Sequence, residues 1–291
     1  MGVVVRAPAT VANLGPGFDT LALAVDLWNE FEVEPGAEPA VQVTGEGTGE
    51  LPEDATNLVF RTMAYLAREA GGSLPSLALR CTNRIPLERG LGSSAAAVVG
   101  GLLLADRLLQ TSLGPDRLLE VAVDIEGHPD NVGACLRGGL VIAYLSHQGW
   151  RAERLEPHPS LRPVLLIPEN ERLATADARR VLPRSVPMSD AAFNVGRAAL
   201  AVRALTERPE LLPAALEDRL HQPRRLPLVP ASRALFEELR QAGIPVCVAG
   251  AGPSLLAFET DIPIPELGPG WRALRLQPSA AGADASLTTS S

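Results

Sequence analysis

Between positions 83 and 101 the chain reads NRIPLERGLGSSAAAVVGG, with Gly90 and Gly92 on either side of Leu91, and Ser93 and Ser94 opening a run of small apolar residues. Glycine reaches backbone angles closed to other residues and leaves room for an anion to approach main-chain amides. The first amides of a helix have no internal partner, and the helix dipole favours negative charge beside them. Two hydroxyls at that point can donate to phosphate oxygens or ligate a divalent cation. The alanines behind them let the helix pack close under the loop. These residues suit phosphate binding; a plain glycine turn with a serine cap is the simpler reading of the same letters.

Such a loop needs a strand to deliver it and a helix to continue it. Residues 77–81 alternate as a strand, and Pro86 ends the extended run. Residues 93–109 are small and apolar almost all round, which predicts a buried helix. Upstream, residues 3–6 predict a short strand and 22–34 two strands joined by a turn. Leu58, Val59, Met63, Leu66 and Ala70 stand at helical spacing, with Asn57 placed to cap that helix. Residues 115–126 begin with Pro-Asp and predict a capped helix. The texture changes at 146–163, where Gly, His, Pro and Arg replace apolar runs. Beyond it, a buried strand is expected at 163–167, helices at 175–181, 189–205 and 231–242, and strands at 244–249 and 255–258. The expected domains are 1–155 and 156–279. Residues 280–291 hold too little apolar content to pack and are expected as a loose tail.

Composition excludes several functions. All 26 basic side chains are arginine, for the chain has no lysine. A Walker-A loop, a protein kinase with a strand lysine and a Schiff-base enzyme are thereby ruled out. Phosphate chemistry must fall to backbone amides, hydroxyls, arginine and a metal. A net charge of −8 argues against a nucleic-acid partner. No apolar run nears the roughly 20 residues that span a bilayer, and the first residues lack a basic stretch followed by an apolar one. A cytoplasmic protein without a membrane partner is expected. Cys81, Cys135 and Cys247 are far apart in sequence and read as ordinary buried thiols.

Set in PLERGLGSSAAA, the glycine-serine loop resembles the phosphate-loop motif of the GHMP kinases, whose loop carries no Walker-type lysine. Residues 8–27, PATVANLGPGFDTLALAVDL, resemble that family's first motif; by composition they form a Gly-Pro turn with Asn13 and Asp19 exposed on it. Residues 248–258, VAGAGPSLLAF, resemble its third, with Ala249 where many homoserine-directed members have serine. The resemblance implies an α+β GHMP kinase fold in two domains. The N-terminal domain is ribosomal protein S5 domain 2-like with a left-handed β-α-β crossover, and the C-terminal domain is ferredoxin-like. ATP with Mg²⁺ is implied at a site between them, and a homodimer is compatible with the family.

Three further stretches narrow the resemblance to members that phosphorylate homoserine: EGHPDNVGACLRGG at 126–139, LATADARRVLP at 173–183 and EDRLHQPRRLPLVP at 217–230. They imply ATP-dependent conversion of L-homoserine to O-phospho-L-homoserine in threonine biosynthesis. Another hydroxy amino acid or an isoprenoid alcohol is the rival acceptor, and a non-catalytic nucleotide-binding relative is the rival class. Carried over by motif, Pro86, Leu87, Glu88, Arg89, Gly90, Leu91, Gly92, Ser93, Ser94, Ala95, Ala96 and Gly252 bind ATP phosphates, and Asn57 lies beside the adenine. Glu126 and Ser94 ligate Mg²⁺. Arg179 and Arg225 grip the acceptor carboxylate, a task suited to a guanidinium's two parallel hydrogen bonds. Arg224 stands where the family has an aromatic residue, so it competes with Arg225. Asn13, Asp19 and His128 serve the ammonium and hydroxyl, and Thr175, four residues before Arg179, faces the same way on a helix. Asp130, beside Asn131, matches the base of related kinases. It either takes the proton or only orients the site.

Overall fold

The computed structural model describes residues 2–36, 38 and 40–288. Strands β1 (Gly2–Asn13) and β2 (Gly17–Pro35) form a long antiparallel hairpin around the Gly-Pro turn. β2 is one strand, where two joined by a turn were expected. The intended turn is a bulge: pairing steps from Pro8↔Trp28 to Ala9↔Val25 and leaves Asp26 and Leu27 outside the register. Pro8 has no N–H for the ladder, so the irregularity falls where a bond is missing anyway.

β3 (Ala40–Gly45), α1 (Leu58–Glu69) and β4 (Leu77–Asn83) make a β-α-β unit with β3 and β4 parallel. α2 (Ser93–Leu109), α3 (Pro115–Glu126) and α4 (Pro129–Arg137) come next, then the hairpin of β5 (Leu140–Ser146) and β6 (Gly149–Leu155). The length of β2 lets it serve two neighbours, β5 at Leu21–Leu23 and β4 from Glu30 to Pro35. α2 is buried nearly all round, as its composition requires, and Ala95, Ala96, Val98 and Val99 are fully enclosed.

The chain passes to a second sheet between Leu155 and Pro163. β7 (Pro163–Pro168) is followed by helices α5 (Thr175–Arg180), α6 (Met188–Thr206), α7 (Leu212–Ala215), α8 (Gln222–Arg225) and α9 (Pro230–Gln241). β8 (Val246–Val248), β9 (Leu255–Phe258) and β10 (Trp271–Arg275) complete an antiparallel sheet ordered β10-β7-β9-β8. Fourth, first, third, second is the ferredoxin-like order. The helix that pattern usually carries before its last strand is absent here, and residues 259–270 run irregularly.

The described part of the tail is not loose. β11 (Asp284–Thr288) pairs antiparallel with β1, and Ser279 and Gln277 exchange main-chain bonds with Ala24 and Asp26. An open strand edge captures a segment through its backbone, whatever its apolar content. Residues 289–291 of the expected tail lie outside the described residues. Cys81, Cys135 and Cys247 are buried and unpaired.

Candidate active site

The loop between β4 and α2 is shaped by close backbone approach. Gly90 and Gly92 have φ of +72° and +70°. A Cβ on Gly90 would sit 2.0 Å from the Ala249 carbonyl oxygen, and one on Gly92 2.1 Å from the Thr10 hydroxyl. No side chain caps α2, so its leading amides remain for an anion. Ala95 and Ala96 lie beneath as a fully buried floor, and the Ala96 amide is already bonded to Gly92 O.

Two cavities meet at this loop. One, of about 300 Å³, is walled largely by Phe31, Leu51, Pro52, Leu58, Val59 and Leu87. Asn57 lines it and caps α1: its Oδ1 accepts from Val59 N at 3.0 Å and its Nδ2 donates to Pro52 O at 2.9 Å. The other, of about 230 Å³, gathers charged side chains such as Asp19, Glu126, Asp130, Arg179 and Arg225 and lies between the two sheets' loops. Glu88, Ser93 and Ser94 line both. The result is one cleft with an apolar end, the glycine-serine loop at its waist and a charged end.

At the waist, Ser94 Oγ donates to Glu126 Oε2 at 2.8 Å. Burial pushes the Glu126 carboxyl above the usual carboxylate range, against the Ser94 bond and the nearby His128. His128 Nδ1 lies 3.3 Å from Asp130 Oδ1, and its Nε2 lies 3.8 Å from Glu126. Burial alone would depress this imidazole, but Asp130 and Glu126 outweigh it and hold it above its ordinary value. Asp130 is 2% exposed, and its Oδ1 accepts from Asn131 N at 2.7 Å. Asn131 Oδ1 accepts from the Thr10 hydroxyl at 2.8 Å.

At the charged end, Asp19 holds Arg179 through two bonds of 2.7 and 3.0 Å. The Asp19 bond raises the Arg179 guanidinium's pKa. Thr175 and Arg179, one turn apart on α5, both face this cavity. Arg225 is 2% exposed and also lines it, whereas Arg224 is exposed to solvent. Arg225 donates to Gly250 O at 2.9 Å and to His221 Nδ1 at 3.3 Å. Burial and the like charge of Arg179 bring its pKa down to about 10. His221 is fully buried, and its Nε2 meets Gly15 O at 2.7 Å. Burial lowers that imidazole's pKa; with a carbonyl oxygen at Nε2 and a guanidinium N–H at Nδ1, Nε2 is the donor and Nδ1 the acceptor.

A family model for the GHMP kinases N terminal domain matches residues 57–139, and one for the GHMP kinases C terminal matches 197–261. The chain is 46% identical to the homoserine kinase of Streptomyces avermitilis, covering 97% of this chain and 94% of that relative. The chain belongs to the GHMP kinase family. The homoserine kinase of Mycobacterium tuberculosis is 46% identical, with 88% of this chain and 84% of that one covered. Among solved structures, the homoserine kinase of Cytophaga hutchinsonii superposes with a TM-score of 0.82 at 27% identity, over 98% and 97% of the two chains. The mevalonate diphosphate decarboxylase of Enterococcus faecalis, at 14% identity and a TM-score of 0.69 over 99% of both chains, shares the fold.

In this GHMP kinase most of the expected residues line the cleft; Gly252 does not, and Ala95 and Ala96 lie buried beneath it. Asn13 is 4% exposed where an exposed position was expected; its amide braces the loops, donating to Gly250 O at 2.8 Å and accepting from Asp19 N at 3.1 Å. Gly252 is absent from the cavity wall, since its amide turns back to Ala249 O; Gly250 and Ala251 line the wall instead. Arg89 lines the cavity but is largely buried, and its Nη2 donates to Glu169 O at 3.0 Å, tying the glycine-serine loop to the residue after β7. Sequence reasoning did not single out Thr10, Phe18 or His221. All three lie inside stretches that carried the family resemblance, Thr10 and Phe18 in residues 8–27 and His221 in 217–230.

Proposed function

We propose that this chain transfers the γ-phosphoryl of ATP to the hydroxyl of L-homoserine, yielding O-phospho-L-homoserine for threonine biosynthesis. One observation carries the reading: the apolar and the charged cavity share Glu88, Ser93 and Ser94. A nucleotide base in the first sends its phosphates past the α2 amides toward the second. There Arg179 and Arg225 suit a carboxylate, and Asp19 suits an ammonium. A neutral sugar or isoprenoid alcohol has no carboxylate to offer Arg225, which is buried among carbonyl oxygens and an imidazole, and this disfavours it.

Ser94 and Glu126 fit Mg²⁺: a hydroxyl and a carboxylate, both hard oxygen donors, lie 2.8 Å apart at the waist. Among the described residues no group of three or more His, Cys, Asp or Glu side chains could hold a metal, so nucleotide oxygens and water must complete the shell. When bound, Mg²⁺ neutralises phosphate charge. The protein's own residues do the rest by positioning, which is most of what a loose phosphoryl-transfer transition state needs. Asn131 and Thr175 orient the transferring group. Asp130, already engaged by Asn131 N and facing His128, orients the acceptor side, and the hydroxyl proton passes to the phosphate. Dependence on ATP suits a reaction in the cytoplasm.

The test is an ADP-release assay across homoserine, threonine, serine, mevalonate and galactose, with and without EDTA. Homoserine is expected to give the highest kcat/KM, with activity lost on chelation. Preference for any other acceptor overturns the reading.

A further inference from the structure

Phe18 sits at a crossing point that neither its type nor its position explains by packing alone. The Arg225 guanidinium carbon lies 5.3 Å from its ring centroid and that of Arg179 lies 5.6 Å away. The His221 ring is 5.4 Å off, tilted by 32°. Two guanidiniums that repel each other thus share one aromatic ring. The π face of a phenyl ring is negative and attracts a cation within about 6 Å. Among the described residues Arg225 has no carboxylate within salt-bridge distance; it bonds only carbonyl oxygens and the neutral His221. A buried guanidinium held this way is neither cancelled nor free to swing.

The backbone supports the arrangement. In a regular strand, neighbouring side chains point to opposite faces. Asp19, at φ +52°, breaks that alternation, in a left-handed conformation that Asp tolerates better than most residues. Phe18 and Asp19 consequently both reach Arg179, one by its ring and the other by its carboxylate. Phe18 itself is not on the cavity wall. Its effect on an acceptor must run through the arginines.

We infer that Phe18 is a specificity-determining positioning residue: its ring holds Arg179 and Arg225 together as one carboxylate clamp and so sets affinity for acceptors that carry a carboxylate. This rests on the assignment of those two arginines to the acceptor carboxylate. The experiment compares L-homoserine with 3-amino-1-propanol, the same alcohol without its carboxylate, in wild type, Phe18→Leu, Phe18→Tyr and proteins carrying Phe18 with one, two or three ring fluorines. Fluorine drains the π face while keeping the ring's shape. Phe18→Leu is expected to raise the homoserine KM about 3- to 30-fold, with kcat and the ATP KM within twofold and the 3-amino-1-propanol KM unmoved. Phe18→Tyr should restore it, and the homoserine KM should climb stepwise with fluorination. A flat fluorine series, or a Phe18→Leu effect shared equally by both alcohols, overturns the role of the ring. Should Phe18→Leu fail to fold, the fluorinated series decides alone. If wild type fails to discriminate between the two alcohols, the arginine assignment falls and the clamp with it.

Discussion

Thr10 joins two parts of the site that are far apart in sequence. Its amide donates to Leu91 O at 3.1 Å and its hydroxyl to Asn131 Oδ1 at 2.8 Å. With Oδ1 occupied, the Asn131 NH₂ is the group left to face the cleft. Replacing a buried hydrogen-bonding partner costs about 1–3 kcal/mol. Thr10→Val should therefore lower kcat about 5- to 100-fold with little change in either KM, and Thr10→Ser should recover most of it in steady-state assays. Asp130→Asn separates orientation from base catalysis. A general base supplies about 10²- to 10⁴-fold, so a loss of under ~10-fold in single-turnover rate is expected, and a larger one would return Asp130 to the base role. Glu126 and Arg179 were legible from sequence only through the family motifs around them, since alone each looks like a solvated charge. Thr10 and Phe18 act through a neighbour, and a threonine or phenylalanine in a strand reads as ordinary until its contacts are known.

At the scale of elements, the glycine-serine loop is held in shape because β1, α2 and the turn after β8 interlock around it. Gly92 shows how little slack remains: its φ is +70°, and a Cβ would strike the Thr10 hydroxyl. Gly92→Ala should keep the far-UV circular dichroism of the wild type yet lose at least ~10-fold in kcat/KM, since left-handed strain alone costs on the order of 1–3 kcal/mol. α2 and α3 were readable to the residue, because an all-apolar run and a Pro-Asp start leave few alternatives. The bulge in β2 was not, for a bulge and a turn share the same local letters and only cross-strand register tells them apart. β11 escaped for a different reason: its pairing is all main chain, and side-chain pattern carries no record of it.

Across the whole molecule, the two domains are fastened at the cleft by groups that also serve the site. Asp19 grips Arg179, Asn13 and Arg225 share the Gly250 carbonyl, and His221 reaches Gly15. His221 ties the pH dependence of stability to this seam. Burial lowers its folded-state pKa below the ordinary value of about 6.5. Below that pH the unfolded chain takes up a proton the folded one refuses, so stability falls as pH drops and is flat above it, by up to about 1.4 kcal/mol per pH unit. Urea unfolding from pH 7.5 to 5 should show this slope, and His221→Gln should flatten it by that amount. The pairing of β11 with β1 has a consequence for how the molecule is made. Domains fold as they leave the ribosome, yet the strand that covers the outer edge of β1 is translated after every element of the second domain. From its own completion until residues 284–288 emerge, the first domain therefore carries that edge bare, a template for foreign strands.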